Sequence, residues 1–146
     1  MSDVEKIGPE ALPLLQEQVE AILAEAKRQG ASACEVAVSA GQGLSTTVRQ
    51  GDVETVEFNR DQGFGITLYL GQRKGSASTS ATGQAAIRET VAAALAIVQH
   101  ASEDDCAGLA DAQLMATDLP DLDLYHPWDI SPEQAVEQGG DRKSVV

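Results

Sequence analysis

The chain opens on a three- and four-residue rhythm. Leu15, Val19, Ile22, Leu23 and Ala26 recur on one face while Glu17, Gln18, Glu25 and Arg28 fall on others, which predicts an amphipathic helix. Pro13 suits its first turn, Gly30 stops it, and Lys27 and Arg28 complement the negative end of the helix dipole. The helix is expected from about Pro13 to Gln29. The period then drops to two. Cys34, Val36 and Val38 alternate with Glu35, Ala37 and Ser39, and Leu44, Thr46 and Val48 alternate with Ser45, Thr47 and Arg49. Gln50-Gly51-Asp52-Val53 predicts a tight hairpin, because Gly and Asp tolerate the positive φ that two-residue turns require. A strand from Val53 to Phe58, a turn through Asn59-Arg60-Asp61-Gln62-Gly63, and a return strand from Phe64 to Leu70 follow. After a turn from Gly71 to Gly75, Ser76 to Ser80 reads as a short, polar fifth strand at the sheet edge.

Helical spacing resumes after Thr82, read as an N-cap, with Ile87, Val91, Ala94, Leu95 and Val98 on one stripe. Short connections make consecutive strands antiparallel, and a sheet with one apolar face needs a covering layer. The expectation is a two-layer α+β domain over residues 10–100, a five-stranded antiparallel meander covered by two amphipathic helices, preceded by a tail at 1–9. With aromatics at 3%, its core must be built mainly from Leu, Ile, Val and Ala.

Residues 101–129 differ in kind, holding Glu103, Asp104, Asp105, Asp111, Asp118, Asp121, Asp123 and Asp129 but no Lys or Arg. Leu109, Leu114, Met115, Leu119, Leu122, Leu124 and Trp128 punctuate the stretch, so residues 101–138 read as an acidic connecting arm lying along a surface and ending in the start of a further helix. Ser131-Pro132-Glu133 opens that helix and Gly139-Gly140 is expected to end it. Residues 139–146 read as a non-native tail, since Asp141 to Val146 match the translation of a common sequencing adaptor.

Charge narrows the function classes. Lys plus Arg number 10 against 23 Asp plus Glu, a formal net charge of −13, which repels phosphate backbones and anionic lipid. The start Met1-Ser2-Asp3-Val4-Glu5 resembles no signal segment and no apolar run reaches membrane-spanning length, so a cytoplasmic location is expected, without nucleic-acid or membrane partners. Cys34 and Cys106 lie far apart and predict no disulfide framework.

No catalytic or metal set is visible. His100 and His126 have no ligand spacing, Asp121 and Asp123 lack the remaining parts of a calcium loop, and Gly41-Gln42-Gly43 and Gly63-Phe64-Gly65 precede strands instead of helices. Ser76, Ser78 and Ser80 lack a nucleophile elbow, and Cys34 reads as a core residue. The most suggestive feature is the polar edge strand beside Arg73 and Lys74. An exposed edge takes up extended peptide by main-chain hydrogen bonding, so Arg73, Lys74, Ser76 and Ser78 are the candidates for a peptide- or partner-binding edge. A small-ligand site at the loop Gly41 to Leu44 is a weaker reading.

Several separated motifs add a resemblance. Gln29-Gly30-Ala31-Ser32-Ala33, Glu35-Val36-Ala37-Val38-Ser39, Arg49-Gln50-Gly51-Asp52-Val53-Glu54 and Gly63-Phe64-Gly65-Ile66-Thr67-Leu68-Tyr69 resemble the N-terminal domain of the TldD/PmbA metallopeptidase family. Arg73-Lys74-Gly75-Ser76-Ala77-Ser78, the stretch Asp105 to Asp111, and Pro120-Asp121-Leu122-Asp123-Leu124-Tyr125-His126-Pro127 are similar to its PmbA branch, also called TldE. The resemblance implies a truncated subunit of a heterodimeric zinc peptidase acting on unfolded or extended polypeptides, including modified-peptide precursors and antitoxins. It places the zinc and its H-E-x-x-x-H helix in the partner TldD-type subunit, and carries no catalytic residue or cofactor onto this chain. The implied role is structural or substrate-guiding, with no peptidase activity alone. A free-standing peptide-binding domain acting by β-edge addition is the alternative.

Overall fold

The computed structural model describes residues 7–141. After a 3-10 turn at Pro9–Ala11 the elements run α1 (Leu12–Arg28), β1 (Ala33–Arg49), β2 (Asp52–Leu70), β3 (Arg73–Thr79), α2 (Gln84–His100), a second 3-10 turn at Ala112–Leu114, and α3 (Pro132–Asp141). The strands form one antiparallel sheet in the order β1-β2-β3. The α+β class and antiparallel meander are as expected; among the described residues three strands replace the expected five, α1 and α2 fall where the two covering helices were expected, and α3 is the further helix expected from Ser131.

The difference lies at the glycines. Gly41 and Gly43, and the segment Asn59 to Gly63, carry turn residues and predict breaks, yet both lie inside continuous strands. They face each other in register, with Gly41 opposite Asp61, Gly43 opposite Asn59 and Ser39 opposite Gly63. Cross-strand pairing between the two weak stretches outweighs the local turn preference of each. The result is a ribbon that overshoots the sheet. β3 pairs only with Phe64 to Leu70, so Asp52 to Gln62 and their β1 partners project as two strands over roughly 35 Å.

At the tip, positive φ falls on Gln50 (54°) and Gly51 (89°), so the tight turn exists but Gln50, not Asp52, takes the left-handed position. Near the tip the register shifts between Thr47 and Val48, a bulge in the ladder. At the other hairpin Gly71 (φ 59°) makes the turn and β3 starts at Arg73, earlier than the expected Ser76.

The core lies between the three-stranded half and two helices. Phe64, Ile66 and Leu68 project inward from β2 to meet Ile22 and Ala26 of α1 and Ile87, Val91 and Ala94 of α2. Val36, Val38 and Ala77 pack around them. Cys34 is partly buried at this margin, as a core residue, and burial followed by the charge of Glu35 pushes its thiol pKa up. Helix α2 approaches β3 very closely. A Cβ on Gly75 would stand 2.6 Å from the backbone nitrogen of Val98 and 2.7 Å from the Ala94 carbonyl oxygen, so only glycine fits there.

Helix ends differ from expectation in two places. Gly83, in extended conformation and without a side-chain cap, stands at the N-cap of α2, where Thr82 was expected. Helix α3 passes through Gly139-Gly140 to Asp141. Its start is well capped: Ser131 Oγ accepts from the Gln134 amide (3.2 Å) while Gln134 Oε1 accepts from the Ser131 amide (2.9 Å), a reciprocal capping box. Most of the N-terminal tail (1–6) and the end of the C-terminal tail (142–146) lie outside the described residues.

Candidate functional site

β3 is the terminal strand on one side of the sheet, and its alternation divides the sequence-predicted edge residues between two faces. Lys74, Ser76 and Ser78 are exposed on the face away from the helices. Ser76 stands opposite Thr67 and Ser78 opposite Gly65, and the hydroxyls of Thr67 and Ser76 are 2.9 Å apart. With Glu35 and Ala37 of β1 they line a shallow trough of about 350 Å³.

Arg73 does not join them. It belongs to the helix side and donates to Glu103 at 3.0 Å, while the amide of Asp104 donates to the carbonyl of Gln72 at 2.9 Å. The start of the acidic arm is thus tied to the start of β3, and the Arg73 charge is directed to the arm instead of the edge. Such an exposed ion pair adds little stability, so its role is orientation. Lys74 supplies the local positive charge.

A larger groove, about 660 Å³, lies over the projecting ribbon. Gln42, Leu44 and Thr46 of β1 and Phe58 of β2 form its floor; Tyr125, Pro127, Trp128 and Ile130 of the arm and Ala135 of α3 form its walls. A two-stranded ribbon alone is marginal in water, so this cover has a structural purpose. Helix α3 is held against β1, with Thr46 Oγ1 donating to the Ala135 carbonyl (3.4 Å) and a Cβ at Gly139 meeting Val48 Cγ2 at 3.1 Å. The stretch Gly41 to Leu44, expected as a loop carrying a small-ligand site, is strand, and its Gln42, Gly43 and Leu44 line this groove. Tyr125 and Trp128 of the arm share the lining of this groove with Leu44 and Phe58 only because the ribbon pairs as it does.

The rest of the arm does not lie flat as expected. Leu114, Leu119, Leu122 and Leu124 are 66–81% exposed. Asp121 turns the chain by accepting from the Asp123 amide (2.9 Å), and Asp123 has φ 48°. His126 stands 3.9 Å from Asp123. His100 occupies the last turn of α2, where a cation suits the helix dipole. Among the described residues no group of three or more His, Cys, Asp or Glu is placed to hold a metal ion. Among the same residues no helix is long and apolar enough to cross a membrane.

Residues 34–98 match the PmbA/TldA metallopeptidase domain 1. The chain is 52% identical over 115 residues to Metalloprotease PmbA of Escherichia coli O157:H7, covering 79% of this chain and 25% of that protein. It is 53% identical over 112 residues to the Metalloprotease PmbA homolog of Haemophilus influenzae, covering 77% and 25%. The chain therefore spans about a quarter of the length of these curated relatives. Among solved structures, a putative modulator of DNA gyrase from Bacteroides thetaiotaomicron matches with a TM-score of 0.73 at 22% identity, over 90% of this chain and 29% of that one. TldE from Thermococcus kodakarensis matches with a TM-score of 0.66 at 16% identity, over 84% and 27%. At those identities the structural matches speak for the fold.

Proposed function

Because this chain belongs to the PmbA/TldD metallopeptidase family through that family's first domain, we propose that it works as the N-terminal domain of a PmbA/TldE-type subunit in a cytoplasmic two-subunit peptidase. The single observation that carries the reading is the 52% identity to a metalloprotease PmbA across 79% of the chain. In the proposed complex, zinc and the water it activates belong to a TldD-type partner subunit, and this domain shapes the assembly and guides an extended polypeptide toward it. The proposed substrates are unfolded or extended peptides, including modified-peptide precursors and labile antitoxins.

The test is reconstitution. The purified chain with added zinc is expected to leave an unfolded peptide intact. A hybrid chain, in which residues 7–138 replace the matched quarter of the Escherichia coli relative, is expected to capture a TldD-type subunit and support chelator-sensitive cleavage. Cleavage by the isolated chain, or a folded hybrid that neither binds that subunit nor restores activity, overturns the proposal.

A second reading is favoured by one observation, the position of β3 as the terminal strand of the sheet, with Lys74, Ser76 and Ser78 exposed along it. In it the domain binds extended peptide by strand addition without a partner. Saturable binding of an extended peptide to the isolated chain, weakened by proline within the peptide's pairing segment, supports it; absence of binding up to millimolar peptide refutes it.

A further inference from the structure

The ribbon formed by β1 and β2 beyond the end of β3 is only half covered. Its two strands share one face in register, with Leu44 opposite Phe58, Thr46 opposite Val56, and Val48 opposite Val53. On the β1 half, α3 and the end of the arm lie over Thr46 and Val48. On the β2 half, Val53 and Val56 remain 49% and 47% exposed, and Phe58, at the border of the groove beneath the arm, is still 52% exposed. Among the described residues the outer edge of β2 from Asp52 to Gln62 has no neighbouring strand, since pairing with β3 begins at Phe64. An apolar row beside an unpaired strand edge, in a ribbon too thin to be stable alone, marks a contact surface.

The occupant follows from length and continuity. The matched relatives devote three-quarters of their length to sequence outside this domain, since the match covers 25% of each. The half already covered is covered by the last described element of the domain, α3, whose Gly139 lies against Val48, directly across the ladder from Val53. A following segment would therefore need no long excursion to reach Val53, Val56 and Phe58. We infer that this row and the free edge of β2 are the seat of the portion of a PmbA-type chain that follows the first domain, extending the cover begun by α3. The inference rests on the proposed reading of this chain as the first domain of a longer subunit. It assigns the contact to the same polypeptide, not to the partner subunit, a peptide substrate or a second copy.

Cysteine protection tests it. V56C and F58C, each in a C106S background to remove the exposed native thiol, are labelled with a maleimide in the isolated chain and in the hybrid with the Escherichia coli relative. Rates are referred to the denatured proteins. Both positions are expected to react at least ten times more slowly in the monomeric hybrid than in the isolated chain. Equal rates in a folded hybrid overturn the inference. So does protection in the isolated chain that rises with concentration, which assigns the row to a second copy, and so does protection of the hybrid only after a TldD-type subunit is added. Should the hybrid not fold, the same substitutions at the aligned positions of the intact relative give the same readout, and fast labelling there is equally fatal. Capture of the TldD-type subunit is measured separately, so this surface and the proposed function fail independently.

Discussion

Gly75 is the residue on which the two layers meet. Its missing side chain lets the backbone of α2 at Ala94 and Val98 come within van der Waals contact of β3, and a Cβ would enter that space at 2.6 Å. The blocking atoms are backbone, which cannot swing aside as a flexible side chain could, so G75A must push the helix away from the sheet. We expect a loss of about 1–3 kcal/mol and a fall in Tm of roughly 3–10 °C, read by thermal denaturation. G108A, in the arm and outside any helix or strand, where nothing lies within 4 Å of the added carbon, is the matching neutral control. The two cysteines differ just as sharply. Burial, reinforced by Glu35, raises the Cys34 pKa and so lowers its thiolate fraction at neutral pH, while Cys106 is exposed. Iodoacetamide at pH 7.5 is expected to modify Cys106 roughly tenfold faster than Cys34, as followed by peptide mass spectrometry. Comparable rates would mean that the margin of the core at Cys34 opens readily.

At the scale of elements, the short-range signals were legible and the long-range one was not. Helix α1, the stripe of α2, the tight turn at Gly51 and the capped start of α3 each follow from a few neighbouring residues, and each is present. The strand count failed because Gly41, Gly43 and Asn59 to Gly63 carry turn chemistry locally, whereas their conformation is set by partners about twenty positions away in sequence. Of the ribbon groove only the stretch Gly41 to Leu44 was legible, and the rest of its lining was hidden for the same reason. Leu44, Phe58 and Trp128 become neighbours only once that pairing exists. The edge strand at β3 was legible, but the separation of Arg73 from Lys74, Ser76 and Ser78 depends on where the arm crosses it. Helix α3, ten residues long, is too short to persist on its own and relies on its cap and on the ribbon beneath it. S131A removes the hydroxyl that accepts from Gln134 and is expected to cost about 1 kcal/mol. Amide exchange across Ala135 to Glu137 should accelerate while exchange in Ile66 and Leu68 is unchanged. Acceleration in both would place α3 within the global folding unit.

For the whole molecule, the decisive contrast is between where the core lies and where the apolar side chains are spent. Every buried residue of the core cluster falls between Ile22 and Ala94, yet Leu109, Leu114, Met115, Leu119, Leu122 and Leu124 are 50–81% exposed on an arm with almost no regular structure. Chymotrypsin requires an accessible, extensible backbone beside a large apolar residue, and the arm offers it repeatedly. We expect first cuts between Leu109 and Leu124, leaving the body from α1 to Glu103 intact. The Arg73–Glu103 pair and the bond from Asp104 to Gln72 lie before the first cut, so the arm's attachment to β3 survives. The clipped body should melt as cooperatively as the whole chain, because its interior loses no member of the core cluster. The ribbon, in contrast, loses Trp128 and α3 if the released segment dissociates, and amide exchange at Leu44 and Phe58 should rise accordingly. A clipped product that no longer melts cooperatively would show that the arm and α3 hold the sheet together, and would move the boundary of the folding unit from about residue 100 to the end of α3.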